Sequence, residues 1–330
     1  MHSVSIIGAS GYSGQETLDR VLGHPELELA ALGSDTNAGE PATVLDPRLA
    51  RATDSLPAFV SNSDALATPA DVFFLCQGHE TAAALEPPAE GVVVDLSGAH
   101  RLSDPALYEQ WYGFSHPHPD ALDSWSYAVP ELSPPSGRLI ANPGCYAIAT
   151  ILALAPLAEA VDTNGVVVDA KSGVSGAGRA LKEASHAGAV LENFKPYRVG
   201  NHQHEPEIAQ ALGFDVCFVP HLLPIRRGIV ATCYVMPRNG ADLRTLLESA
   251  YEDAPAVDVL PEGVAPDLSR VQNTDATEIG LFYDRATERA IVISAIDNLG
   301  KGAAGSAIQN ANLALGLEPT AGLKLNGVLV

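Results

Sequence analysis

Seven residues near the start of the chain, Gly8-Ala9-Ser10-Gly11-Tyr12-Ser13-Gly14, limit what it can fold into more than any other feature. They follow a short apolar run, Val4-Ser5-Ile6-Ile7, and open a segment of helical spacing over residues 15–22 that stops at the breaker cluster Gly23-His24-Pro25. A glycine-rich turn between a strand and a helix lets backbone amides approach a pyrophosphate. The helix N-terminus adds partial positive charge to hold it. The spacing is GxxGxxG, a variant of the more usual GxGxxG, so its place at the first strand-to-helix turn carries the nucleotide reading. The competing reading is a turn whose glycines serve packing alone.

Residues 27–32, 71–76 and 91–95 are further strand-like runs, nearly continuous in apolar residues. Such runs suit a parallel sheet covered on both faces, and their alternation with helical segments predicts an α/β domain of the doubly wound, Rossmann type. Past Pro134-Pro135-Ser136-Gly137, the best candidate for a domain crossing, the texture changes. A buried helix is expected over 147–160 and a long amphipathic one over 241–251. Strands rich in Val, Ile and aromatics are expected over 165–170, 214–220, 228–236, 278–283 and 290–295. This mixture predicts an α+β second domain with a mostly antiparallel sheet. A small-residue helix over 303–315 follows Gly300-Lys301-Gly302.

The chain has 330 residues, long enough for two cores, and 19 Lys+Arg against 40 Asp+Glu give a net charge of −21. Phosphate backbones and anionic leaflets are repelled by such a surface, which argues against nucleic-acid and membrane binding. No apolar run approaches the ~18 residues of a membrane span. Only Met1-His2-Ser3 precedes the first strand, which leaves no room for a secretory signal, and a cytoplasmic enzyme is expected. Four cysteines without CxxC spacing make neither a disulfide scaffold nor a metal site.

Among those cysteines Cys145 stands apart. It follows the turn Asn142-Pro143-Gly144 and precedes the apolar helix expected from Ala147, and at a helix N-terminus amide dipoles favour the thiolate. Taken alone, that position leaves nucleophile and core filler both open. Cys76, Cys217 and Cys233 lie inside strand patterns and read as small core hydrophobes. A thiolate forming acyl adducts wants a neighbouring acid/base, and His202-Gln203-His204-Glu205-Pro206-Glu207 is the densest polar cluster available. Two histidines flanking one residue also suit a metal, but no third ligand is evident. Cations are scarce. Arg226-Arg227 and the serine-glycine loop 172–178 between Lys171 and Arg179 are therefore the candidates to hold a carboxylate or phosphate. At the end of the second strand Asp35 favours the ribose hydroxyls of NAD and repels a 2′-phosphate, while Ser34 and Thr36 remain able to hold one.

The assembled strings resemble the N-acetyl-γ-glutamyl-phosphate reductases, the arginine-biosynthesis branch of the semialdehyde dehydrogenase superfamily. GASGYSG at 8–14, VVDLSGAHRL at 93–102, YAVPEL at 127–132 and NPGCYAIAT at 142–150 match. So do KSGVSGAGR at 171–179, HQHEPEI at 202–208, PHLLPIRRGI at 220–229 and AIDNLGKGAAGSAIQNAN at 295–312. The resemblance implies a dinucleotide-binding domain over 1–144, with 299–330 packing back on it, and a catalytic and oligomerisation domain over 145–298. It implies NADPH as cofactor, a cysteine thioester at Cys145, and His204 as the acid/base. Cofactor contacts are implied at Gly8, Ser10, Gly11, Tyr12, Ser13, Gly14, Ser34, Asp35, Ser175, Gly176, Asn298 and Lys301. Substrate contacts are implied at Asn142, Ser172, Arg179, His202, Glu207 and Arg227, with no metal. The expected partners are a small acyl phosphate and further copies of the chain, as a homodimer or homotetramer. Three positions depart from the family pattern. Gln203 replaces an Arg, Ala147 a Pro and Asp35 an Arg, and the last leaves NAD open beside NADP. The same parts would serve aminoadipyl phosphate on a carrier protein, or aspartyl phosphate. The acidity weighs against an acidic carrier. A dinucleotide-sensing binding protein is a further alternative, against which stands the presence of both Cys145 and the HQH stretch.

Overall fold

The computed structural model describes residues 1–51, 56–180 and 186–327. The chain forms two compact units. One comprises Met1–Pro143 and Ala303–Leu323, and the other Gly144–Gly302 with the chain from Lys324 onward.

In the first unit β1 (His2–Ile7), β2 (Leu27–Gly33), β3 (Val72–Leu75), β4 (Val92–Asp95), β5 (Ser126–Tyr127) and β6 (Leu139–Ala141) form a sheet ordered β2-β1-β3-β4-β6-β5. Every pairing is parallel, so all carboxyl ends share one edge. Strands β3 and β4 are buried at every residue, as their unbroken apolar sequence requires. Period-2 alternation sends their side chains into two cores. Ile6, Phe74, Val94 and Ile140 meet Ala307, Ile308 and Ala311 of the helix Ser306–Leu315. Phe73, Leu75 and Val93 pack on the other face with Ala31, Ala65 and Trp125. The strand order reverses at β1, and open α/β sheets bind their ligands beside such a reversal.

The second unit holds a seven-stranded sheet made of β7 (Val161–Gly173), β8 (Lys195–Pro196), β9 (Cys217–Leu223), β10 (Ile229–Pro237), β11 (Val257–Val259), β12 (Thr277–Asp284) and β13 (Arg289–Ile296). Its order is β11-β12-β13-β10-β7-β9-β8. The sheet is mixed, which corrects the expectation of a mostly antiparallel one. β7 pairs with β9, and β11 with β12, in parallel, alongside the antiparallel pairs of β10 with β7 and β13, of β12 with β13 and of β8 with β9. The reason lies in the connections. A long crossover containing the helix His204–Leu212 separates β7 from β9 and returns the chain in the same direction, which a tight hairpin cannot do.

Two further differences have local causes. The buried helix expected over 147–160 runs Cys145–Leu154 and gives way to a 3-10 turn, Ala155–Leu157. Pro156 has no N–H to continue the α-helical ladder. Cys217, expected in the core, is exposed. It opens β9, where Phe218 points inward and its neighbour therefore points out. Cys233 is fully buried, and burial pushes its thiol, like that of Cys76, up to about 12. Cys233→Ser should therefore cost about 1–3 kcal/mol of stability through a buried hydroxyl. Cys217→Ser should stay within about 0.5 kcal/mol. Urea unfolding of the two variants measures the contrast.

Candidate active site

The glycine loop is shaped for close approach. Gly8 lies at φ +81°, and a Cβ there would stand 2.7 Å from the Cys76 carbonyl oxygen. At Gly14 a Cβ would come 2.6 Å from the Ala9 Cα, so this glycine lets the helix Tyr12–Gly23 press against the loop. Gly11 caps that helix, and among the described residues no side chain does. Its first-turn amides are thus presented as an anion-binding end. Beside it, the Ser34 hydroxyl donates to the Ser10 Oγ at 2.9 Å. Tyr12 and Ser13 open the helix, and Tyr12 is partly exposed.

Asp35 is exposed, yet its carboxylate is engaged. The Asn62 backbone N–H donates to Oδ1 at 2.8 Å and the Asn62 side-chain amide to Oδ2 at 2.7 Å. The Asn62 Oδ1 in turn accepts from the Gly8 N–H at 2.9 Å. Asp35 thereby helps hold the glycine loop, a role that spacing from the loop alone did not reveal.

In the second unit Cys145 is half-buried at the first position of its helix, directly after the N-cap Gly144. The Gly144 N–H donates to the Glu207 Oε1 at 2.7 Å, and Glu207 is fully buried. Glu207 lies three residues after His204 on the helix His204–Leu212, hence on the same face. One hydrogen bond so ties the helix of the nucleophile candidate to the helix of the acid/base candidate. Gly302 abuts the thiol-bearing residue: a Cβ on it would lie 2.9 Å from the Cys145 Cβ.

His202 is walled in by aromatic rings. Its centroid lies 5.5 Å from Tyr146, 5.6 Å from Tyr197, 5.4 Å from Phe218 and 4.8 Å from His204. Its Nδ1 accepts the His204 backbone N–H at 3.1 Å. Burial, with the nearby Arg198 charge, lowers its pKa to about 3. It is a neutral acceptor that sets the His204 backbone. The Tyr197 hydroxyl donates to the Tyr146 hydroxyl at 3.2 Å, which donates to the His221 carbonyl at 3.1 Å.

A neighbouring group gathers around Asn298. Its Oδ1 accepts from the Gly228 N–H at 2.7 Å and its amide donates to the Ser175 Oγ at 2.9 Å. Gly176 lies alongside, where an added Cβ would meet the Ser172 Oγ at 3.4 Å. Arg227 makes a two-pronged ion pair with the buried Asp297, at 2.8 and 2.9 Å. Lys301 is fully buried, whereas Arg179 is exposed. Asn142, in the first unit, is completely buried. Its amide donates to the Ser306 Oγ at 3.0 Å and its Oδ1 accepts from Asn310 at 3.0 Å, which anchors the turn before Cys145. Asp297 and Gly302 were missed by the sequence reading, although an Asp-Asn pair between a strand and a glycine-rich loop was a usable signal. Among the described residues no three His, Cys, Asp or Glu side chains converge on a metal position. Among the described residues no helix is long and apolar enough to cross a membrane.

Comparison with known proteins places these features in context. Residues 3–138 match the family description "Semialdehyde dehydrogenase, NAD binding domain", and residues 145–298 match "Semialdehyde dehydrogenase, dimerisation domain". The chain is 44% identical to the N-acetyl-gamma-glutamyl-phosphate reductase of Salinispora arenicola and 42% identical to that of Acidothermus cellulolyticus, each over 98% of both chains. Its fold resembles aspartate semialdehyde dehydrogenase II from Vibrio cholerae, with a TM-score of 0.72 at 18% identity, covering 96% of this chain and 98% of that one. It also resembles the Candida albicans aspartate semialdehyde dehydrogenase solved with NADP, with a TM-score of 0.62 at 17% identity and the same coverage.

The buried His202 makes a pH prediction. Its pKa falls from 6.5 to about 3 on folding, so below pH 6.5 the unfolded chain binds the extra proton. The stability it supports is complete above pH 6.5 and is lost as pH falls toward 3. The slope is at most about 1.4 kcal/mol per pH unit. Urea unfolding on acidification should show this slope, and His202→Asn should flatten it.

Proposed function

The chain belongs to the N-acetyl-gamma-glutamyl-phosphate reductase family of semialdehyde dehydrogenases, and from that premise we propose that it reduces N-acetyl-glutamyl 5-phosphate to the 5-semialdehyde in arginine biosynthesis. The observation that carries the chemistry is Cys145 at a helix N-terminus, joined through Gly144 and Glu207 to the helix bearing His204.

His204 takes the Cys145 thiol proton, giving a thiolate that the helix N-terminus favours. The sulfur attacks the acyl carbon, the bond from that carbon to the phosphoryl oxygen breaks, and inorganic phosphate leaves. A thioester remains on Cys145. A reduced nicotinamide, when bound, would supply the hydride needed to turn this thioester into a thiohemiacetal oxyanion. The His204 imidazolium holds that oxyanion until the carbon–sulfur bond breaks, releasing the aldehyde and returning the thiolate. Arg179, Arg227 and the serine-glycine loop hold the anionic ends of the substrate.

The loop suits a dinucleotide, since Gly8 and Gly14, where a Cβ would strike backbone, hold it tight against the start of the helix Tyr12–Gly23, whose first-turn amides carry no side-chain cap among the described residues. NADPH is the proposed cofactor. Both Asp35 oxygens already accept hydrogen bonds from Asn62, which occupies the group that would select NAD, and the hydroxyls of Ser34 and Thr36 stand beside it. The proposed enzyme is a cytoplasmic homodimer or homotetramer. Supporting this, one face of the second sheet presents Val167, Val219, Val230, Tyr234, Ile291 and Ile293, all half-buried and suited to a second copy.

Cys145→Ala should abolish turnover and leave NADPH affinity within about twofold, and residual reduction by this variant would remove the thioester step. His204→Ala should lower kcat by about a hundredfold or more. Glu207→Gln keeps an oxygen for the Gly144 N–H and should stay close to wild type in KM. Glu207→Ala loses that bond and should slow both turnover and iodoacetamide labelling of Cys145. A raised KM in Glu207→Gln with normal labelling would make Glu207 a substrate contact instead.

A further inference from the structure

The carboxyl end of β4 carries a histidine that the proposed chemistry leaves unused. Asp95, the last residue of β4, is fully buried and accepts from the Ser97 N–H at 2.8 Å, the Ser97 hydroxyl at 2.9 Å and the His100 Nδ1 at 2.7 Å. Burial alone would raise this carboxyl, but the bond and charge of His100, with the two bonds from Ser97, hold it below its usual value. An ionised Asp95 orients the His100 ring, with Nδ1–H toward the carboxylate and Nε2 turned away from it.

The imidazole is clamped as well as oriented. It stacks on Trp125 at 3.7 Å and an interplanar angle of 11°, and meets the edge of His116 at 5.7 Å. His116 spends both of its nitrogens, Nε2 on the Ala99 carbonyl at 3.0 Å and Nδ1 on the His118 N–H at 3.1 Å. The Nε2 of His100 differs. It has no hydrogen-bond partner among the described residues, although the side chain is only 4% exposed. A buried ring, aimed by a carboxylate and held by stacking, with one nitrogen unspent, is arranged to meet something other than the protein.

The sheet says what that is. Adjacent strands lie about 4.8 Å apart, so β4, two strands from β1, ends about 10 Å along the carboxyl edge from the Gly8 loop. It lies on the side away from β2, whose end carries Ser34 and Asp35 at the position of an adenosine ribose. A dinucleotide with its pyrophosphate on the Gly8 loop extends its other half toward β3 and β4. Resting on the dinucleotide reading above, we propose that His100 Nε2 hydrogen-bonds the nicotinamide-riboside half of the cofactor. Asp95 is then the positioning residue for that contact, and Trp125 the platform beneath it.

Calorimetric titration of NADPH and of 2′,5′-ADP, which carries the adenosine half alone, separates the possibilities. His100→Phe keeps a ring on Trp125 and removes Nε2. It should weaken NADPH by about tenfold, the worth of one hydrogen bond to a ligand, and leave 2′,5′-ADP unchanged. Equal loss for both ligands would reduce His100 to a structural residue, and no loss for either would remove the contact; both overturn the proposal. If the Phe variant melts early, His100→Gln gives the same comparison of two affinities. Wild-type protein that binds neither ligand would defeat the dinucleotide reading itself, an outcome distinct from failure at His100.

Discussion

A carboxylate taken wholly out of water survives only when its oxygens are bonded, and Glu207 meets that demand in part with the Gly144 amide. The bond spans 63 residues of chain and joins two helix beginnings. At one end is the N-cap of the helix opened by Cys145; at the other, the first turn of the helix opened by His204. The separation of sulfur and imidazole is therefore set by packing and not by side-chain chance. Asp297 does similar work nearby. Its carboxylate collects Arg227 together with the amides of Asn273, Leu299 and Gly300, and so fixes the loop whose Gly302 lies against Cys145.

Much of this was legible in the sequence, and the gaps have physical causes. The glycine loop, the parallel strands and the helix opening at Cys145 follow from local rules about turns, period and capping. Strand direction in the second sheet does not, because it depends on how the chain returns between β7 and β9. The end of the Cys145 helix was readable from Pro156. Cys217 was misplaced because composition marks a strand without fixing its phase, and phase decides which side chains face inward. Asp35 was read for its charge against a ligand, whereas its bonds to Asn62 join residues 27 positions apart in sequence, which no spacing rule reaches.

The placement of cations sharpens the electrostatic picture. With 19 Lys+Arg against 40 Asp+Glu, the chain nevertheless buries Arg20, Arg101 and Lys301 almost completely. A buried cation is tolerated only where partners replace its water. Arg101 shows how: its guanidinium donates to the main-chain carbonyls of Leu96 and Asn142, each at 2.8 Å. It thus ties the loop after β4 to the turn that precedes Cys145. The acidic surface and the inward cations are complementary: repulsion acts outside, while Arg101 joins two loops within the first unit.

The histidines divide along the same logic. His24, His116 and His202 each accept, on Nδ1, the backbone N–H two residues further on, at 3.0 to 3.1 Å. An imidazole used in this way must keep that nitrogen unprotonated, and burial lowers the pKa of all three. They are neutral fasteners of turns. In the HQH stretch the fastener is His202, and the residue whose backbone it fastens is His204. The sequence presents two equivalent histidines. The hydrogen bond between them breaks that equivalence, since a ring committed to an amide cannot exchange protons at that atom without releasing its neighbour. The first histidine thus holds the backbone of the second, an arrangement that suits the acid/base role proposed for His204.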